Sequence, residues 1–169
     1  MSDIVIVEAV RAPVGRRGGD LASLHPSDLL SDVQSALIAR SGIDPNEIGQ
    51  VVGGCVSQAG EQTANIARTA WLGAGLPMGV AATTVDAQCG SSQQAVTLAY
   101  SLVAAGVVDS AIGCGVESMS RNPMGSSYRK GTRTATSRYK DHFEYTTQFQ
   151  GAEMMAEKWG ISREETDEF

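Results

Sequence analysis

Apolar residues along the first 115 positions follow two repeat lengths, one typical of buried strands and one typical of helices. Short runs rich in β-branched residues predict strands over 4–10, 51–56, 82–87 and 107–113. Between these runs, apolar residues three or four positions apart predict helices over 26–41, 63–74 and 91–105. Strands that alternate with helices favour an α/β fold, with a mixed, mostly parallel sheet between layers of helices.

The pattern changes after Glu117. Residues 118–139 are polar, and their apolar positions show neither a helical nor a strand repeat. This pattern is typical of a long loop with a functional role. A capping box formed by Ser162 and Glu165 then predicts the start of another helix. We therefore predict two domains, an α/β domain over 1–117 and the beginning of a second domain over 118–169.

Composition favours a globular protein and excludes several classes of function. Hydrophobic residues make up 42% and charged residues 19% of the 169 positions, which suits a packed core. The net charge of -6 argues against a general nucleic-acid binder, which needs a basic surface. The sequence has neither a run of about 20 apolar residues nor a signal-peptide pattern. We expect a cytoplasmic protein without a nucleic-acid or membrane partner.

Candidate chemistry centres on Cys89, where the third predicted strand runs directly into the third predicted helix. The N–H groups and partial positive charge at a helix N-terminus favour the thiolate, which is the attacking form of cysteine. Gly90 lets a substrate carbonyl approach, and the Cys89 N–H would be one oxyanion donor. The alternative is that Cys89 is a buried, small apolar residue. Cys55 and Cys114 are interpreted as packing residues.

A cysteine nucleophile also needs an acid or base to move protons. The chain has two histidines, His25 and His142. We interpret His25 as a helix-cap or surface residue and His142 as a solvated loop residue. Neither histidine stands at zinc-ligand spacing from the three cysteines, so no metal is predicted. The sequence thus indicates a nucleophile without its acid and base.

Four segments of the chain resemble the N-terminal part of the thiolases, the acetyl-CoA C-acyltransferases. They are Val10-Arg-Ala-Pro-Val-Gly15, the stretch from Gly53 to Gly60, Cys89-Gly-Ser-Ser, and Gly115-Val-Glu-Ser-Met-Ser120. The resemblance implies that Cys89 takes an acyl group from acetyl-CoA or a 3-oxoacyl-CoA and carries it covalently. It also implies that coenzyme A is a substrate, that no cofactor is tightly bound, and that the protein is a homodimer or homotetramer.

The resemblance further implies that the chain is one half of a larger fold. Thiolases stack two similar halves in five layers, and the second half supplies a histidine and a second cysteine. This chain would cover the N-terminal half and the start of an inserted loop domain, and would not complete a catalytic cycle alone. Two alternatives stay open: a non-catalytic subunit that pairs with a complete thiolase-like partner, and a β-ketoacyl synthase relative, which the Glu-Ser-Met-Ser segment disfavours.

Two positions depart from the family pattern. Ser92 stands where the family has glycine, directly behind the nucleophile motif. Gln148 and Phe149 stand where many short-chain members have Met-Gly, which makes Gln148 a candidate substrate-binding residue. The departure argues against acetoacetyl-CoA, and other stretches resemble the subgroup that acts on steroid side-chain or other bulky acyl-CoAs.

Overall fold

The computed structural model describes residues 3–128 and 134–169. They form two compact units, one ending at Tyr128 and one made of the residues that follow. The first unit contains α1 (Pro26–Ser41), β1 (Gln50–Gly54), α2 (Ile66–Gly73), β2 (Ala81–Val85), α3 (Ser91–Ala104) and β3 (Ala111–Gly115). The second contains α4 (Ser137–Lys140), α5 (Gln148–Trp159) and α6 (Arg163–Glu168). Positions 129–133 of the predicted polar loop lie outside the described residues, and the domain boundary after Glu117 stays a prediction.

The three strands of the first unit form a parallel sheet in the order β2-β1-β3. At its carboxyl edge, Gly54 of β1 lies opposite Val85 of β2 and Gly115 of β3. The predicted α/β class with a parallel sheet is confirmed. All three strands end together, so the segments that follow them meet at one edge.

Helices cover both faces of this sheet. Adjacent residues of β1 point to opposite faces. Val51 packs in a cluster with Trp71 of α2, which is 0% exposed, while Val52 packs with Ala95 and Ala99 of α3. Full burial of a large apolar side chain, such as that of Val51, stabilises the folded state by about 1.5–3 kcal/mol. The result is three layers: α1 and α2, the sheet, and α3.

The ends of α1 are those that the sequence predicts. Pro26 occupies the first turn, where its missing N–H costs nothing, and His25 Nδ1 accepts a hydrogen bond from the Ser27 backbone N at 3.2 Å. Gly42 follows the helix with a φ of +68°, a conformation that glycine adopts without strain. The prediction of His25 as a helix cap is confirmed.

The predicted strand over 4–10 is wrong. These residues form no strand, and Val5, Ile6 and Val7 are 71%, 84% and 63% exposed. A strand needs a hydrogen-bonded neighbour, and within the described residues none lies beside this segment. An ion pair of 3.2 Å joins Glu8 to Arg40 on α1. A cleft of about 1920 Å³ is lined by this segment and by residues of β3.

The last strand begins four residues later than predicted, at Ala111 instead of Val107. Gly106 has a φ of +69° and ends α3, and the Val107 backbone N still donates to the Leu102 carbonyl of that helix. Val107 is therefore part of the helix terminus. Its apolar, β-branched side chain predicts a strand. The pattern of side chains, however, does not show which carbonyl group a backbone N–H bonds to.

Candidate active site

Cys89 lies in the turn of residues 86–90 that joins β2 to α3, at the carboxyl edge of the sheet. Its thiol is free and exposed. The alternative interpretation, a cysteine buried for packing, does not describe this position. In open sheets of parallel strands, ligands bind at the carboxyl edge. The thiol is accordingly placed where a substrate could reach it, and its catalytic role stays a prediction.

The backbone of this turn has an unusual conformation immediately before the cysteine. Gln88 has a φ of +52°, in the left-handed region that costs a non-glycine residue about 1–2 kcal/mol. The Gln88 backbone N donates to Asp86 Oδ1 at 2.7 Å. Ser91 Oγ accepts from the Ala87 backbone N at 2.9 Å and donates to the Gln88 carbonyl at 2.6 Å. With about 1 kcal/mol for each bond, these contacts offset the strain.

The first turn of α3 lies directly on the backbone of two strands. A Cβ atom placed on Gly54 of β1 would fall 2.5 Å from the Ser92 backbone N. A Cβ on Gly115 of β3 would overlap Ser92 Oγ. Glycine at these positions is what lets the helix approach the sheet. Ser92, the departure from the family pattern, is thus accommodated because residue 115 has no side chain.

The N-terminus of α3 differs from those of α1, α2 and α5. In those helices the side chains of His25, Asn65 and Thr147 accept a hydrogen bond from a first-turn N–H. In α3 the capping position is Gly90. Within the described residues, no side chain caps this N-terminus with a hydrogen bond. First-turn N–H groups of a helix have no intrahelical partner and carry partial positive charge. They are suited to stabilise negative charge that develops beside Cys89.

The other two cysteines are less acidic than an ordinary thiol. Burial, followed by the nearby Glu117 carboxylate, raises the pKa of Cys55 to about 12. Burial raises the pKa of Cys114 to about 11. Cys55 is 1% exposed and lies just after β1, while Cys114 lies within β3. Neither thiol is both ionised and accessible at neutral pH, which matches their interpretation as packing residues.

Glu117 connects segments that follow two different strands, a role that the sequence analysis did not assign. Its carboxylate accepts hydrogen bonds from the backbone N of Val56 at 2.8 Å and of Ser57 at 3.2 Å. It also accepts from Nε2 of the buried Gln62 at 3.0 Å, and the Gln62 Oε1 in turn accepts from the Ser118 backbone N at 2.8 Å. An acidic residue two positions past a strand was the available signal. This network fixes the carboxyl edge beside the Cys89 turn.

Each histidine has the setting that the sequence predicts. His25 Nδ1 is engaged as the cap of α1. His142 is exposed in the second unit, with its ring 6.4 Å from that of Phe143. Within the described residues, no three His, Cys, Asp or Glu side chains are grouped to hold a metal ion. Likewise, none of the helices in 3–128 and 134–169 has the length and apolarity to cross a bilayer.

Gln148 is the first residue of α5 in the second unit, and it is exposed. The helix starts with a capping box in which Thr147 Oγ1 and the Gln150 side chain bond each other's backbone N–H groups. Phe149, the next residue, is 70% exposed. The substrate-binding role of Gln148 stays a prediction.

Comparison with known proteins decides the family. The family described as "Thiolase, N-terminal domain" matches residues 4–169. The chain belongs to the thiolase family. The crystal structure of an acetyl-CoA acetyltransferase from Bacillus anthracis has the same fold, with a TM-score of 0.79 and 32% identity over 97% of this chain. The resemblance carried by the four sequence segments is therefore confirmed.

Curated thiolases match the chain from end to end. A steroid 3-ketoacyl-CoA thiolase from Mycobacterium tuberculosis is 39% identical over the full chain, and so is a beta-ketoadipyl-CoA thiolase from Acinetobacter baylyi. The chain covers 44% and 46% of these two proteins, and 44% of the Bacillus anthracis structure. This thiolase chain thus spans slightly less than half the length of its relatives.

Proposed function

We propose that this chain is part of a thiolase-type acyltransferase in which Cys89 carries the acyl group. The observation that supports the proposal is the exposed Cys89 thiol at the β2–α3 turn of a chain in the thiolase family. Relatives named 3-ketoacyl-CoA thiolase support acyl-CoA and CoA as the substrates.

In the degradative direction, the Cys89 thiolate attacks the C3 carbonyl carbon of a 3-oxoacyl-CoA. The C2–C3 bond then breaks, its electron pair leaves with acetyl-CoA, and that carbanion takes up a proton. The shortened acyl group stays on the sulfur as a thioester. A CoA thiolate attacks this thioester, which releases the shortened acyl-CoA and restores the Cys89 thiolate. Condensation is the same sequence in reverse, and N–H groups at the start of α3 would stabilise the oxyanions.

The protons in this scheme are moved by groups outside the chain. His25 caps α1, and Cys55 and Cys114 have raised pKa values. The proposed source of the acid and base is the portion of the relatives that this chain does not cover. The 169-residue chain is accordingly expected to accept an acyl group and not to turn over.

Incubation of the chain with acetyl-CoA tests this function, with intact mass and peptide mapping as readouts. We expect one acetyl group on Cys89 and none after Cys89→Ala. The matched control is Cys114→Ala, which removes a partly buried thiol and should keep the adduct. An equal adduct in Cys89→Ala would refute the nucleophile, and sustained release of product by the isolated chain would refute the missing acid and base.

The second candidate function is a subunit that pairs with another polypeptide. The observation that favours it is the cleft of about 1920 Å³ between the 4–10 segment and β3. β3 is an edge strand of the described sheet, with unpaired backbone groups along one side. Across the cleft, Val5, Ile6 and Val7 are exposed apolar residues. These features fit an apolar strand supplied by a second, thiolase-like polypeptide.

Pairing is tested by mixing the chain with a complete relative and measuring mass by light scattering after size-exclusion chromatography. We expect a mixed complex that weakens after Ile6→Asp. The control is Met78→Asp, which changes a similarly exposed apolar residue that does not line the cleft. Two separate species in the mixture would rule out the subunit function.

We propose a bulky acyl group as the natural substrate, and Gln148 as one of its contacts. The support is the departure from Met-Gly at Gln148 and Phe149 and the steroid thiolase among the relatives. Rates of acyl transfer to Cys89 from acetyl-CoA and from a long-chain acyl-CoA provide the test. Gln148→Met should shift the preference towards acetyl-CoA, and an unchanged ratio would count against this assignment.

A further inference from the structure

We propose that Asp86 and Ser91 are positioning residues for Cys89, because together they hold Gln88 in the left-handed conformation that turns the thiol outward. The inference rests on the proposed function of Cys89 and adds two side chains that touch neither the sulfur nor, in the proposed chemistry, the substrate. It also gives a structural reason for the strained backbone of Gln88, the residue before the nucleophile.

The contacts of Ser91 support this role. Ser91 is the first residue of α3, and its side chain is buried, with 4% of the residue exposed. The capping position is the preceding residue, Gly90, so the Ser91 hydroxyl is not a helix cap. It bonds backward, accepting from the Ala87 backbone N at 2.9 Å and donating to the Gln88 carbonyl at 2.6 Å. Both bonds fix the turn before Cys89.

Asp86 fixes the other side of the same residue. Its Oδ1 accepts a hydrogen bond from the Gln88 backbone N at 2.7 Å. The backbone N–H and the carbonyl group of Gln88 are thus both hydrogen-bonded, and the φ of this residue is +52°. Without these bonds a glutamine returns to negative φ, because its Cβ disfavours the left-handed region. That rotation would re-aim the Cα–Cβ bond of Cys89, which is the next residue.

Glycine at position 88 provides the sharpest test. Ser91→Ala removes both hydrogen bonds and should slow acetyl transfer from acetyl-CoA to Cys89 by about 30-fold, the effect of two lost hydrogen bonds of ordinary strength. Adding Gln88→Gly should restore the rate, because glycine adopts positive φ without strain. A serine that only packs or stabilises α3 would not be rescued by this change. Failure of the double variant to recover would overturn the proposal.

Asp86 supplies a second pair of variants at an exposed position, and this pair tests the proposal if Ser91→Ala does not fold. Asp86→Ala should slow acyl transfer, whereas Asp86→Asn should keep it, since an amide oxygen still accepts from the Gln88 N–H. The control is Ser101→Ala, which removes a hydroxyl that donates to the Thr97 carbonyl of α3, at 2.7 Å. Equal rates for Asp86→Ala and Asp86→Asn would overturn the role of Asp86.

A second reagent separates this inference from the function on which it rests. Iodoacetamide alkylates an exposed thiolate without any acyl chemistry. The rate of alkylation of Cys89 across pH 6–9 therefore depends only on the exposure and local environment of its sulfur. Absence of acetyl transfer in the unmodified chain refutes the proposed function. Normal acetyl transfer with identical alkylation profiles in Ser91→Ala and Asp86→Ala refutes the positioning roles and leaves the function intact.

Discussion

The contact between α3 and β1 predicts that Gly54→Ala is strongly destabilising. The added Cβ would lie 2.5 Å from the Ser92 backbone N, and its other close neighbours are backbone atoms of Ser91. Backbone atoms of a packed helix cannot move aside as the end of a flexible side chain can. The substitution therefore has to push the first turn of α3 away from the sheet, and the Cys89 turn moves with it.

The magnitude follows from two opposing effects. Overpacking a well-packed site costs about 1–3 kcal/mol, and the rigid neighbours of Gly54 place this case at the upper end. Replacing glycine by alanine also restricts the unfolded chain, which returns about 0.4–1 kcal/mol. The net loss in the free energy of unfolding is about 2–3 kcal/mol. For a chain of this size that loss lowers Tm by about 5–10 °C.

Urea denaturation and thermal melting measure this loss, and alkylation of Cys89 reports the movement of the turn. The matched control is Gly79→Ala, where a Cβ would meet no atom within 4 Å, so stability should stay equal or rise slightly. If Gly54→Ala melts within 1 °C of the unmodified chain, the reasoning about close helix–sheet approach is refuted. An unchanged rate of Cys89 alkylation in a destabilised variant would refute the link between helix and thiol.

Three other predictions concern the same unit. Gly115→Ala should cost about 1–3 kcal/mol in urea denaturation, and Ser92→Gly should recover only part of it in a double-mutant cycle, because Ser92 Oγ is removed while the Gly54 carbonyl oxygen stays 2.8 Å from the added Cβ. Cys55, whose pKa is raised from 9.0 to about 12, should react with N-ethylmaleimide about a thousandfold more slowly at pH 8 in the folded chain than in urea. The hydrogen bond from Arg121 lowers the pKa of Glu61 below 4.5, so the unfolded state binds more protons and this contribution disappears as pH falls through the folded pKa. Arg121→Gln should accordingly flatten the dependence of stability on pH below 4.5, and an unchanged slope in urea denaturation would contradict the ion pair's role.

The parts of the structure that the sequence predicts are those encoded by local chemistry. Gly42 and Gly106 end helices because glycine adopts a positive φ without strain, and both positions are readable from the chain alone. The position of Cys89 is predicted in the same way. A strand that passes directly into a helix predicts both an exposed turn and a helix N-terminus. These features depend on residues within a few positions of each other.

The parts that sequence analysis misses depend on distant partners or on side chains with several possible uses. Residues 4–10 have the composition of a strand, yet a strand also needs a neighbour, which composition does not reveal. Gln88 adopts a left-handed conformation without being glycine, and the Ser91 side chain bonds the backbone of the preceding turn. Glu117 binds segments about 60 positions away. No local pattern specifies such contacts.

The exposed run of Val5, Ile6 and Val7, across the cleft from the unpaired side of β3, has a practical consequence for the isolated chain. Exposed apolar residues and open backbone groups are the elements from which intermolecular sheets grow. The net charge of -6 opposes this growth through repulsion between molecules, and added salt screens that repulsion. Aggregation should therefore accelerate with both protein and salt concentration, so dilute, low-salt preparations would best preserve the monodisperse chain.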